Sequence, residues 1–258
     1  RPVMTLLSGP AAGVAAALMF LKASDALFLE VGGTSTDICL VKDGKAAVKS
    51  ASVGGHPTYL KTLDSRTLGI AGGSMIGKSK DGLAVGPRSA HLAGFPYCSF
   101  ADESHFQGEL KVIEIQPLAD DPPYYVIEDS QGNRTSPTTT CAANLLEFIK
   151  PGDYSAGNRD HILKAFQALA DHLGMKSAEI VAEAVLDAAA EKVLPTIKQL
   201  IKEYGVGDRQ IKILGGGGGA GAIVPIVAKK LDFPFEIADR AEVISAIVLA
   251  LAMVRETV

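Results

Sequence analysis

Short apolar runs broken by glycine fill the first third of the chain, and helical periodicity takes over in the second half. Residues 25–31 (DALFLEV) are apolar but for Asp25 and Glu30, which predicts a strand buried on both faces. Gly32-Gly33 ends that run, and residues 36–41 predict a second strand. Asp43-Gly44 is a two-residue hairpin signal, after which residues 46–53 predict a third strand. An antiparallel meander over 25–53 follows from this pattern. Residues 54–100 predict glycine-rich loops with short strands. Residues 109–115 and 124–128 predict a small hairpin in the polar stretch after them. Upstream, Ser8-Gly9-Pro10 predicts entry into a buried helix over 11–23. Downstream, helices are predicted over 144–150, over 160–173 with Gly174 as the stop, and from the cap Ser177 to about residue 204 with a kink at Pro195. A strand over 210–214, a helix over 220–231 and a short strand over 234–237 come next. Asp239 with Glu242 forms a capping box that opens a last helix.

Strands interleaved with helices define an α/β protein. At 258 residues, 47% hydrophobic and 21% charged, the chain has material for a sizeable core. A net charge of −4 leaves no basic face, which argues against nucleic acid as a partner. There is no polybasic block and no apolar run of the roughly 18–20 residues a membrane helix needs, so no membrane is implied either. The three cysteines, Cys39, Cys98 and Cys141, include no CxxC, which argues against a disulfide framework or zinc knuckle and for a reduced, cytoplasmic setting. The start at Arg1-Pro2 suggests a piece of a longer chain.

Two glycine motifs carry candidate chemistry. The first, Glu30-Val31-Gly32-Gly33-Thr34-Ser35-Thr36-Asp37, joins two predicted strands. Glycines there expose N–H groups as an anion nest, and the Thr34, Ser35 and Thr36 hydroxyls can donate to phosphate oxygens. Asp37 or Glu30 could hold Mg²⁺ through water. A plain hairpin turn is the competing reading. The second motif, Gly215-Gly216-Gly217-Gly218-Gly219, leads from a strand into a helix and suits an adenosine or phosphate group. It matches neither the P-loop nor the GxGxxG pattern.

With these motifs in place, the chain resembles the hydantoinase A/oxoprolinase family along most of its length. Leu7-Ser8-Gly9-Pro10-Ala11-Ala12-Gly13-Val14 resembles that family's SGPAxGV. Glu30 to Asp37 resembles its D-x-G-G-T-S-T-D loop, and Leu63-Asp64 through Gly72-Gly73-Ser74 its LD-x-x-T-x-GAGGGS segment. Val85-Gly86-Pro87-Arg88-Ser89-Ala90 resembles its VGPxSAG, and the run from Gly215 to Ala222 its GGGG loop. Ile244-Ser245-Ala246 resembles its SAxG region. The resemblance implies a ribonuclease-H-like fold of the actin/Hsp70/sugar kinase type, with a mixed sheet flanked by helices and a small β insertion. It implies one C-terminal ATPase domain, with a core of about 1–99 and 138–258 and an inserted or cap segment of about 100–137.

The resemblance further implies ATP and Mg²⁺ as cofactors. Gly32, Gly33, Thr34, Ser35, Thr36, Asp37 and Gly215, Gly216, Gly217, Gly218 would bind the nucleotide. Asp64 and Glu30 are the catalytic candidates, and no metal ligand set is assigned. The implied activity is ATP-dependent hydrolysis of a small cyclic amide, completed by an N-terminal domain that this chain lacks and by a second subunit. Two departures bear on the substrate: Gly94-Phe95-Pro96-Tyr97-Cys98 stands where the family has P-G-P-A-C, and Thr138-Thr139-Thr140-Cys141-Ala142-Ala143-Asn144 lacks the family's aspartate. They motivate alternative readings: a nucleotide-dependent regulator or reactivating factor of a partner enzyme, or an acetone-carboxylase-like subunit. His56 and His91 are weaker site candidates, and Cys39 and Cys98 read as core thiols.

Overall fold

The computed structural model describes residues 24–53, 56–80, 82–207 and 210–246. The helix expected over 11–23 and most of the last helix lie outside them. In chain order the strands are β1 (Ala26–Val31), β2 (Thr36–Lys42), β3 (Lys45–Ala46), β4 (Val48–Val53), β5 (His56–Leu63), β6 (Ser65–Leu68), β7 (Ser74–Ser79), β8 (Gly82–Ser89), β9 (Lys111–Ile115), β10 (Tyr124–Glu128) and β11 (Arg134–Thr135). Helices α1 (Thr139–Leu145), α2 (Arg159–Leu173) and α3 (Ala178–Tyr204) follow, then β12 (Lys212–Gly216), α4 (Ala220–Leu231) and β13 (Phe235–Ile237).

The first sheet runs β13-β12-β1-β2-β3, with β6 also on β2. β1 is antiparallel to β2 and parallel to β12, which is parallel to β13. An antiparallel meander flanked by two parallel strands is the ribonuclease-H-like order expected from the resemblance. β1 explains its own run of apolar residues. Leu27, Leu29 and Val31 enter the main core with Ile38 and Leu40, while Ala26 and Phe28 pack on the other face with Cys39, Val41 and Leu214. A second, antiparallel sheet runs β11-β10-β7-β8, with β9 on β10. Its β9–β10 pair is the hairpin expected in the polar stretch.

Local signals set most boundaries. Asp43 (φ 51°) and Gly44 (φ 69°) turn β2 into β3. Asn158 caps α2 by accepting from the Asp160 and His161 amides, and Gly174 ends it at φ 67°. Ser177 caps α3. That helix runs on through Pro195 and buries Val181, Val185, Leu186, Ala189, Val193, Ile197 and Leu200, a stripe at helical spacing.

Three expectations are corrected. Only Lys45 and Ala46 of the expected third strand pair with β2; the chain then leaves the sheet, and β4 pairs with β5 instead. The place beside β2 goes to β6, in register Asp37↔Thr67. Alternation along residues 46–53 specifies a strand but not its partner. The first helix begins at Thr139 rather than Asn144, because the Thr138 side chain caps the Cys141 amide, and the chain turns away at Glu147 (φ 61°). Asp239 and Glu242 form no capping box: Arg240 sits at φ 53° before a 3₁₀ turn over Ala241–Val243 that has no side-chain cap.

All three cysteines are fully buried, and burial pushes the Cys39 thiol up to about 12. A thiol-labelling reagent followed by mass spectrometry is expected to leave all three unmodified in the native protein and to label them together on unfolding. Native labelling of Cys98 or Cys141 would show a path to solvent that this packing excludes.

Candidate functional site

Three glycine turns, distant in sequence, meet at the carboxyl ends of β1 and β12. The turn after β1 is closed by the Gly32 amide donating to Ser35 O at 3.0 Å. A second turn, between β6 and β7, docks on it backbone to backbone. There the Gly72 amide donates to Gly32 O and the Gly73 amide to Gly33 O, both at 3.1 Å. The turn after β12 closes the third side, with the Gly219 amide donating to Val31 O at 2.9 Å and the Gly217 amide to Ala241 O at 2.7 Å. Helix α1 joins at its first turn, where the Thr140 amide donates to Gly72 O at 2.9 Å.

Side chains have no room at these joints. A Cβ on Gly73 would lie 2.4 Å from Gly33 O, and one on Gly219 2.5 Å from Gly32 O. The glycines thus let three backbones approach one another while their outer faces stay open. A ligand crevice at the carboxyl ends of adjacent parallel strands is the usual place in open α/β sheets.

Two cavities open on this assembly. One, of about 490 Å³, lies over Gly32, Gly33, Gly72 and Gly73 and is walled by His91, Phe95, Tyr97 and Phe100. The other, of about 480 Å³, lies over Gly217, Gly218 and the start of α4, with Asp153, Arg240 and Ala241 on its rim. Tyr154, Ser155, Gly218 and Glu242 line both, so the two cavities form one cleft with Tyr154 between its halves. Tyr154 is 74% exposed.

The candidates from the sequence divide. Gly32, Gly33, Gly217 and Gly218 line the cleft. Thr34 is exposed and Ser35 half-buried at the first turn. Thr36 is fully buried and its hydroxyl donates to Ile70 O, so it has no hydrogen left for a phosphate. Gly215 and Gly216 are buried in β12 opposite Leu29 and Glu30, and a Cβ on Gly216 would lie 2.8 Å from the Phe28 ring. They position the turn and do not line the cleft.

Glu30 and Asp37 face each other across β1 and β2. The Ser245 hydroxyl donates to Glu30 and the Thr67 hydroxyl to Asp37. Burial raises the Glu30 pKa above the ordinary carboxylate value; the Ser245 hydrogen bond opposes this, and the Asp37 charge adds to it.

Asp64 is not among the cleft residues. Its carboxylate, 3% exposed, accepts from Lys49 Nζ at 2.7 Å, from Arg66 at 3.2 Å and from the Tyr204 hydroxyl at 3.0 Å, which ties β4, β6 and the end of α3 together. His56 lies in the β4–β5 hairpin, outside the cleft lining, whereas His91 lines it. Among the described residues no cluster of three or more His, Cys, Asp or Glu could hold a metal ion. No helix among them is long and apolar enough to cross a membrane. Cleft residues that sequence reasoning did not single out as site candidates include Phe95, Tyr97, Phe100, Thr140, Tyr154 and Glu242. Gly72 and Gly73 were visible as part of a matched segment.

The fold and the cleft define a ribonuclease-H-like α/β domain with a crevice at the ends of its parallel strands. The chain belongs to the hydantoinase/oxoprolinase family, whose profile matches residues 1–258. It is 26% identical over 241 residues to caprolactamase subunit alpha of Pseudomonas jessenii, covering 90% of this chain and 30% of that protein. It is 27% identical to an uncharacterized Schizosaccharomyces pombe protein over 98% of this chain and 19% of that one. Among solved structures, nucleotide-free acetone carboxylase superposes with a TM-score of 0.66 at 20% identity, covering 96% of this chain and 32% of that chain. The ATP-dependent caprolactamase of P. jessenii superposes with a TM-score of 0.63 at 24% identity, covering 93% and 31%. The chain therefore spans under a third of the length of these relatives, and the likeness in structure shows a shared fold.

Proposed function

We propose that this chain supplies one side of a nucleotide cleft in a larger ATP-dependent enzyme that activates the carbonyl of a small cyclic amide for hydrolysis. The observation that carries the reading is the joining of three glycine turns beneath a two-part cleft. One part lies over the first two glycine turns, and the other lies at the N-terminal end of α4. The similarity to a caprolactamase subunit supports a lactam-type substrate, and its designation as a subunit supports a partner chain. The similarity to acetone carboxylase keeps a ketone substrate as the second reading. In both, ATP supplies a phosphoryl group to a carbonyl oxygen, and this chain's part is to hold phosphates and keep water from them. The rest of the cleft comes from an N-terminal domain, and a cytoplasmic setting suits the three free thiols.

Mg²⁺ enters with the nucleotide. Asp37 is the candidate for holding it through water, because it sits two residues beyond the first glycine turn. Glu30 is a poorer ligand, since burial disfavours its charged form. Asp64 we assign to stability rather than catalysis.

Calorimetric titration of Mg²⁺-ATP into the full-length protein tests the reading. Gly218→Val is the useful variant. Its Cβ would crowd the exposed Tyr154 ring at 2.8 Å, a side chain free to swing, and touch Glu242 Cβ at an ordinary 3.8 Å, so the change crowds the cleft without breaking the fold. The wild type is expected to bind saturably and the variant about tenfold or more weaker, the loss of roughly one good contact. No binding by the wild type would end the nucleotide reading.

A further inference from the structure

The half of the cleft over the first two glycine turns is built differently from the half over α4. Its wall is the segment 90–101, which folds back on itself and is pinned to the glycine assembly. The Ala90 amide donates to Gly73 O at 2.9 Å, the Phe95 amide to Ala90 O at 2.9 Å, and the Ala101 amide to Tyr97 O at 2.9 Å. This scaffold presents His91, Phe95, Tyr97 and Phe100 to the cavity. Tyr97 and Phe100 stack with centroids 5.6 Å apart, yet Phe100 stays 52% exposed. Large aromatic surface held open beside a cavity is the composition of a small-molecule site.

The Tyr97 hydroxyl reaches the joint between the two turns. A Cβ on Gly73 would lie 1.9 Å from it and one on Gly33 3.4 Å from it. Beside it is the Ser89 hydroxyl, 1% exposed and without a partner in hydrogen-bond geometry. Ser89 can turn its hydrogen to the phenol oxygen, which leaves the phenol hydrogen for a ligand. Burial raises the Tyr97 pKa, partly offset by Ser89, so the phenol remains a donor at neutral pH. Glu242 also lines the cavity, so a carboxylate brought in on a ligand would meet a like charge close by.

Resting on the nucleotide reading, we propose that this cavity is the acceptor subsite. Tyr97 determines its specificity, donating to the acceptor carbonyl, while Phe95 and Phe100 select neutral acceptors with a flat apolar ring over carboxylated ones such as 5-oxoproline.

The test is acceptor-stimulated ATP hydrolysis by the full-length protein with its partner subunit, after Mg²⁺-ATP binding has been measured by calorimetry. The panel holds unsubstituted, alkyl- and aryl-substituted hydantoins and lactams beside 5-oxoproline. The wild type is expected to prefer the neutral rings. Tyr97→Phe removes one oxygen without altering the stack, and should lower kcat/KM for them about tenfold, the worth of one hydrogen bond. Phe95→Gly opens the wall and should shift the preference toward the bulkier aryl rings. Unchanged kcat/KM in Tyr97→Phe together with an unchanged ranking in Phe95→Gly would overturn the subsite. So would 5-oxoproline as the best acceptor, or a wild type that binds Mg²⁺-ATP and is stimulated by none of the panel. In these cases the nucleotide reading stands, whereas absence of Mg²⁺-ATP binding removes both.

Discussion

Gly217→Ala is expected to cost the domain about 3 kcal/mol or more, a large share of the roughly 5–15 kcal/mol that holds a domain folded. Two causes add. Gly217 has φ 84°, a conformation that costs an L-residue about 1 kcal/mol. A Cβ there would also lie 2.3 Å from Val31 O, 2.8 Å from Val31 C and 3.0 Å from Val31 N. Those atoms belong to the backbone of β1, the middle strand of the sheet, so no rotamer change relieves the collision. Gly44→Ala separates the two causes: Gly44 has φ 69° with nothing within 4 Å of the added carbon, and should lose only about 1 kcal/mol. Urea midpoints of both variants decide the matter. Equal losses would mean that the contact between the third turn and β1 is looser than the structure shows.

Asp64→Ala is expected to lower stability by about 2–3 kcal/mol, because it removes a buried acceptor shared by three donors. The loss stops short of a fully buried pair. Lys49 is 46% exposed and recovers water, and Arg66 keeps Glu203. Burial on its own would raise the Asp64 pKa, but hydrogen bonds from Arg66, Lys49 and Tyr204 together hold it below the ordinary value. A depressed folded pKa means that the stabilisation is complete above the unfolded value of about 3.9 and disappears as pH falls through the folded value. The gap between wild type and variant should therefore be full at neutral pH and close in acid. In the full-length protein, Asp64→Asn should leave the proposed ATP turnover intact at temperatures where it is folded. An Asp64→Asn protein of wild-type stability that no longer turns over would return Asp64 to the catalytic set.

Signals confined to a few neighbouring residues were legible in the sequence. Asp43-Gly44, the cap Ser177 and the stop at Gly174 depend on backbone angles or bonds within one turn. The helix over 220–231 follows from its own composition. What the sequence withheld depends on distant partners. Nothing in residues 46–53 says that β6 takes the place beside β2, since alternation is blind to the partner. Thr138 was hidden as a cap because threonines also suit loops. The glycine motifs were visible, but not which of their residues reach the cleft. Gly215 and Gly216 make way for Phe28 and Val224, and Thr36 spends its hydroxyl on Ile70 O. Tyr97 and Tyr154 carry no local mark at all; each becomes a cleft residue only when the turns around residues 32, 72 and 218 are brought together.

That meeting of turns has a consequence for synthesis on the ribosome. The amide of Gly219 is bonded to Val31, far back along the chain. Until β12 has emerged and slipped in beside β1, the turns near residues 32 and 72 have no third wall, and loop closure over so long a stretch is slow. A nascent chain arrested before β12 should thus lack the joint between Gly219 and Val31, and protection of β1 and the first two turns from protease should appear only once β12 has emerged.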